Sequence, residues 1–214
     1  LIRVGIAVEG ETEEDFVRHV LAGYLVPYGV WPHPALPGRR GGNISVQRIA
    51  RGMRELLRGF DAVTTLVDFY GFKRKEAKTP VELESAIVDQ LNRTVGNPVS
   101  TQRVFAYVQR HEFEALLFSD VERFRCLPTV SQESVSSLAD VRKKFDTPED
   151  IDDDPETAPS KRLLRSIPGY DKRVDGLVVA AEIGVDQIRS ECPRFRAWLE
   201  KLQTLPAVLG QQSQ

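Results

Sequence analysis

Three short runs rich in aliphatic and β-branched residues alternate with stretches of helical periodicity, and each run leads into an acid. Ile2 to Val8 (IRVGIAV) is almost continuously apolar, as a strand covered on both faces of a parallel sheet must be. Ala62 to Val67 (AVTTLV) and Arg103 to Val108 (RVFAYV) repeat that character. Between them, apolar residues recur at helical spacing. The first set is Phe16, Val17, Val20, Leu21, Tyr24 and Leu25. The second is Val46, Ile49, Met53, Leu56 and Leu57, in a helix over 45–58. The third is Val81, Leu83, Ile87 and Leu91, in a helix opened by Thr79-Pro80. Thr12 reads as the cap of the first helix, with Asp15 completing a capping box. Strands alternating with helices imply right-handed crossovers and a mostly parallel sheet. Val30 to Leu36, with its two prolines, reads as either a short edge strand or an extended loop.

A further helix is expected to start in His111 to Phe118, and from Asp120 the pattern is all helical. Helices are expected over 161–166, 172–183 and 193–202, with an acidic loop or weak helix over 146–159 and a frayed tail at 211–214. The expected architecture is one α/β domain. A small parallel sheet flanked by helices would occupy 1–119, with a helical portion, 120–214, packed on it. At 214 residues the chain can bury such a core without disulfides or a structural metal.

Charge and composition exclude several classes. The 29 basic and 31 acidic residues give a net charge of -2, which argues against a polybasic protein that holds nucleic acid by bulk charge. Cys126 and Cys192 form no CxxC pair, so neither a zinc ribbon nor a disulfide scaffold is expected, and a reducing cytoplasm is the default. Both are expected to be buried structural thiols. No apolar run approaches the ~18 residues of a membrane span, and no leader peptide is expected.

The acids carry the chemistry. The three runs reach Glu9, Asp68, and Glu112 with Glu114 close behind. Ligand sites in open α/β sheets lie outside the carboxyl ends of the strands. Two carboxylates about 4 Å apart repel by roughly 4 kcal/mol at an effective dielectric of 20, so a cluster of them needs protons or a cation. An oxygen-only ligand set favours Mg²⁺, Mn²⁺ or Ca²⁺ over zinc. Acids also follow strands simply because helix N-termini favour them.

Val8-Glu9-Gly10-Glu11-Thr12-Glu13 resembles the VEGxTE signature that opens many Toprim domains, the metal-binding fold of topoisomerases, primases and OLD-type nucleases. Asp68 resembles the first aspartate of the Toprim DxD motif, whose second position is Tyr70 here. VDFYGF, RHEFEALLFSD (110–120) and CPRFRAWL (192–199) together resemble a Toprim-like bacterial family, domain of unknown function 4276, over nearly the whole chain. The resemblance implies a Toprim-like α/β fold and a Mg²⁺ or Mn²⁺ site. Glu9 would be a ligand or general acid/base, Asp68 a ligand, Glu112 or Glu114 a further ligand, and Glu13 an outer or second-metal residue. It implies phosphodiester hydrolysis of DNA or RNA, in a bacterial defence setting with an ATPase supplied in trans. The chain itself has no GxxxxGK[ST] motif. A homodimer is a further expected assembly. A non-catalytic module that docks nucleic acid or an ATPase is the alternative, and a small-molecule phosphatase a third reading.

Secondary signals are basic and aromatic. Lys161 and Lys172 are candidates to face the acid edge, Lys161 to stabilise phosphate charge, and each is equally readable as part of a solvated basic surface. Arg39 and Arg40, in a Gly-rich loop, either contact a nucleic-acid backbone or form a surface turn. His111 either orients its neighbour Glu112 or makes a structural hydrogen bond. Trp31 and Trp198 read as core or interface residues.

Overall fold

The computed structural model describes residues 1–37, 44–72, 79–151 and 156–210. They divide into two compact units, 1–109 with the chain from 198 onward, and 110–197.

The first unit is built on β1 (Ile2–Val8), β2 (Val30–Ala35), β3 (Ala62–Asp68) and β4 (Val108–Gln109). Among the described residues these form one sheet, order β2-β1-β3-β4, with every pair parallel. Helical crossovers make this pairing possible: α1 (Glu11–Phe16), a π-helical turn and α2 (Ala22–Leu25) join β1 to β2, α3 (Val46–Leu56) joins β2 to β3, and α4 (Pro80–Val95) joins β3 to β4. All seven residues of β3 are buried, including Thr64 and Thr65. Each threonine is satisfied: Trp198 donates from Nε1 to Thr64 Oγ1 at 3.0 Å, and Thr65 exchanges two hydrogen bonds with the Tyr107 backbone. One face of the sheet packs Val63, Val67 and Val108 against Ile49 and Met53 of α3 and Leu83, Ile87 and Leu91 of α4.

β2 is an edge strand, which resolves the two readings of Val30 to Leu36. Pro32 and Pro34 lack the N–H groups that a further strand would need, so the edge is blunted against pairing.

Several local expectations are corrected. The first helix is capped by Gly10, not Thr12: Glu13, not Asp15, reaches back to accept the Gly10 N–H at 3.0 Å. The run Arg103 to Val108 is not a continuous strand. It makes a single bridge at Val104 and a two-residue ladder at Val108–Gln109, because the Thr65 side chain takes the N–H and C=O of Tyr107. Of the two readings of Trp31, core is excluded by its 52% exposure; Val81 stands at the surface of α4, and Cys126 is exposed while Cys192 is buried. Thr79 caps α4 as expected, in a reciprocal pair with Glu82.

The second unit contains 3₁₀ segments Phe113–Ser119 and Val121–Cys126, then α5 (Gln132–Arg142), α6 (Pro159–Ser166), α7 (Val174–Ile183) and α8 (Val185–Glu191). The last helix, α9 (Pro193–Gly210), begins in it and ends in the first unit, running past the expected 202. The helix expected to start in 111–118 is a 3₁₀ helix, Phe113–Ser119, and all seven of its residues are buried. The acidic stretch holds a 3₁₀ turn at Pro148–Asp150. The tail at 211–214 lies outside the described residues. Among the described residues no helix is long and apolar enough to cross a membrane.

Candidate functional site

Glu9 follows β1 directly, and the register Val8↔Leu66 sets it beside the end of β3, where Asp68 stands. The Asp68 N–H donates to Glu9 Oε2 at 3.2 Å. The chain then turns through Phe69–Gly71, and Gly71 lies under the same carboxylate: a Cβ there would come within 2.2 Å of Glu9 Oε2. A side chain at the glycine of DFYG would therefore push the end of Glu9 aside, while the backbone there is not in the left-handed region. Asp68 is only 5% exposed. Buried Glu13 uses one oxygen to hold the Gly10 N–H at the helix start, so its first task is to cap. The structure thus brings Glu9 and Asp68 together on adjacent parallel strand ends.

In the second unit it brings together Glu112, Glu114, Lys161 and Lys172. His111 precedes them with φ 66°, a left-handed backbone uncommon for a non-glycine residue. Glu112 Oε2 accepts the Ser160 N–H at 3.0 Å, so this carboxylate sits on the first turn of α6, next to exposed Lys161. Glu114 is fully buried, with the Lys172 ammonium 3.1 Å from Oε1 and no hydrogen-bond partner for Oε2 among the described residues. Burial pushes the Glu114 carboxyl up to about 7, against the opposing pull of Lys172. The buried hydroxyl of Tyr170 is pushed well above the usual range, by desolvation first and the Glu114 charge second. Arg39 and Arg40 lie outside the described residues.

Sequence reasoning missed three contributors. Gly71 was visible in DFYG, but its purpose is a carboxylate far earlier in the chain. The Glu114–Lys172 pair joins residues remote in sequence. Glu149, only 2% exposed, accepts the N–H groups of Arg194 at 2.8 Å and Phe195 at 3.1 Å, capping the first turn of α9.

The family is decided by a match over residues 8–203 to the model for Domain of unknown function (DUF4276). The chain belongs to the DUF4276 family. The match spans both units, so VEGETE, DFYG, HEFEALLFSD and CPRFRAWL fall within one family domain. No curated protein and no solved structure matches the chain.

The donor chemistry of Glu9 and Asp68 suits Mg²⁺ or Mn²⁺. Mg²⁺ takes one or two carboxylates, keeps several waters and accepts substrate phosphates. Among the described residues no group of three or more His, Cys, Asp and Glu side chains is arranged to hold a metal ion.

Proposed function

We propose that this DUF4276 chain is a metal-dependent phosphoryl-transfer enzyme, a nuclease that hydrolyses phosphodiester bonds in DNA or RNA. The observation that carries this reading is the Glu9–Asp68 pair, two carboxylates at neighbouring carboxyl ends of a parallel sheet. The likeness of VEGETE to the Toprim signature supports it. Bound Mg²⁺ or Mn²⁺ would lower the pKa of a coordinated water and neutralise phosphate charge. The chain's own part is positional. The Asp68 N–H and the bare Cα of Gly71 hold the Glu9 carboxylate in one orientation. The exposed ammonium of Lys161 is available to a phosphate oxygen. Lys172 is anchored by Glu114 through one oxygen, with its side chain 43% exposed. An ATPase supplied in trans, in a bacterial antiphage defence system, belongs to the same reading.

The test is cleavage of single- and double-stranded DNA and RNA with Mg²⁺, Mn²⁺ or EDTA. The reading expects metal-dependent cleavage that Glu9→Gln and Asp68→Asn abolish. Cleavage that survives EDTA and both substitutions is a contaminant and rejects it. A second reading, a non-catalytic module that binds nucleic acid or an ATPase, is favoured by Tyr70 at the second DxD position. It expects binding without cleavage under every metal condition.

A further inference from the structure

We propose that the outward face of α3 is a tract for the phosphate backbone of a nucleic acid. The proposal rests on the nucleic-acid reading above and names a contact surface for it. At 3.6 residues per turn, positions 47, 51, 54 and 58 fall within about 60° of one another. They are Gln47, Arg51, Arg54 and Arg58. Ile49 and Met53 on the opposite side are fully buried, so this stripe points away from the core. Arg58 stands in the turn just past α3, where Leu57 keeps helical backbone angles. The three arginines span about 10 Å of helix axis, roughly three phosphates of one strand at about 3.4 Å each.

These guanidiniums are not neutralised. Glu55 lies four residues after Arg51 and three before Arg58, spacings at which helical ion pairs form. Yet among the described residues no carboxylate pairs with Arg51, Arg54 or Arg58. Arginines paired with carboxylates occur elsewhere in the chain: Arg18 with Glu14 at 2.8 Å, Arg125 with Glu122 at 2.7 Å and Arg142 with Glu191 at 2.9 Å. The Nε of Arg54 is buried and has no hydrogen-bond partner among the described residues, so no protein acceptor holds this guanidinium at that nitrogen. Three adjacent unpaired guanidiniums on a chain of net charge -2 make a local positive field, and the planar fork of arginine matches phosphate geometry. A membrane-binding face would need large apolar side chains among the charges, and none of the exposed large hydrophobics is on α3.

The experiment measures anisotropy of fluorescein-labelled single-stranded DNA, single-stranded RNA and duplex DNA with the full chain, in EDTA, across a KCl series. The triple variant R51A/R54A/R58A is expected to weaken binding about tenfold or more at low salt and to reduce the salt slope by about 2–3. R123A/K143A/K144A removes the same charge elsewhere and is expected to leave affinity and slope unchanged. Melting curves of both variants confirm folding. Unchanged binding by the arginine triple, or equal loss in the control, overturns the proposal while the nucleic-acid reading stands. If the wild type binds none of the probes, that reading fails and the proposal fails with it.

Discussion

Glu149 and Glu114 lie in the same unit, are 2% and 0% exposed, and are both pushed upward by burial. They differ in what meets their oxygens. Each oxygen of Glu149 accepts a backbone N–H from the first turn of α9. Those hydrogen bonds and the helix dipole offset part of its desolvation. Glu114 has one lysine, whose side chain is 43% exposed, and no backbone donor on Oε2 among the described residues. Burial alone thus says little about a carboxylate's role. An acid whose oxygens are both consumed by backbone belongs to the fold. An acid balanced by a solvent-facing ammonium keeps the capacity to exchange a proton or a ligand.

The largest effect expected from this contrast is on Glu149. Glu149→Ala leaves the Arg194 and Phe195 N–H groups without their acceptor, a loss of about 4 kcal/mol, read as a fall in the urea midpoint. A loss below about 1 kcal/mol would erase the distinction between the two glutamates.

Glu114→Gln acts through pH. The folded-state carboxyl is raised from 4.5 to about 7, so between those values the folded chain holds more protons than the unfolded one. Its contribution is therefore fully present below the unfolded value and is lost as pH rises through about 7. The shift corresponds to about 3 kcal/mol. Denaturant titrations in EDTA should show stability of the wild type declining across this window relative to Glu114→Gln. Parallel curves for the two proteins would mean that Lys172 holds the carboxylate ionised throughout.

Gly71→Ala tests the sheet edge. A methyl group there displaces the Glu9 carboxylate without altering its charge, and metal affinity should fall by about 10- to 100-fold, measured by Mn²⁺ titration calorimetry. Unchanged affinity would show that the orientation of Glu9 is immaterial. The smallest expected effect is at Glu112→Gln, which removes a charge from the first turn of α6. It should cost about 0.5–1 kcal/mol in thermal melts. A loss as large as that of Glu149→Ala would place Glu112 among the acids that hold the fold.

The same distinction governs how much was legible in sequence. β1 and β3 were readable because short, nearly continuous apolar and β-branched runs bounded by turn residues suit covered strands. The Glu9 and Asp68 positions followed from where those runs stop. The segment before β4 misled because Thr65 replaces part of the backbone ladder with its side chain, and no periodicity records that. Thr12 was misread as the cap because hydroxyl residues are preferred there, while Gly10 and Glu13 divide the task. Glu149 sat in an acidic stretch that reads as loop, and its helix lies well downstream in sequence. Val81 was misassigned for a simpler reason: an apolar residue at the edge of an element is often exposed.

The most direct test of the central claim, that Glu9 and Asp68 form a divalent-cation site, is the Mn²⁺-induced change in thermal stability of wild type, Asp68→Asn and Glu149→Gln. Ligand binding to the folded state adds about 2.7 kcal/mol at a hundred times Kd. The account predicts a Mn²⁺-dependent rise for wild type and for Glu149→Gln, from its lower starting point, and no rise for Asp68→Asn. A rise of equal size in Asp68→Asn, or none in the wild type at saturating Mn²⁺, would contradict it.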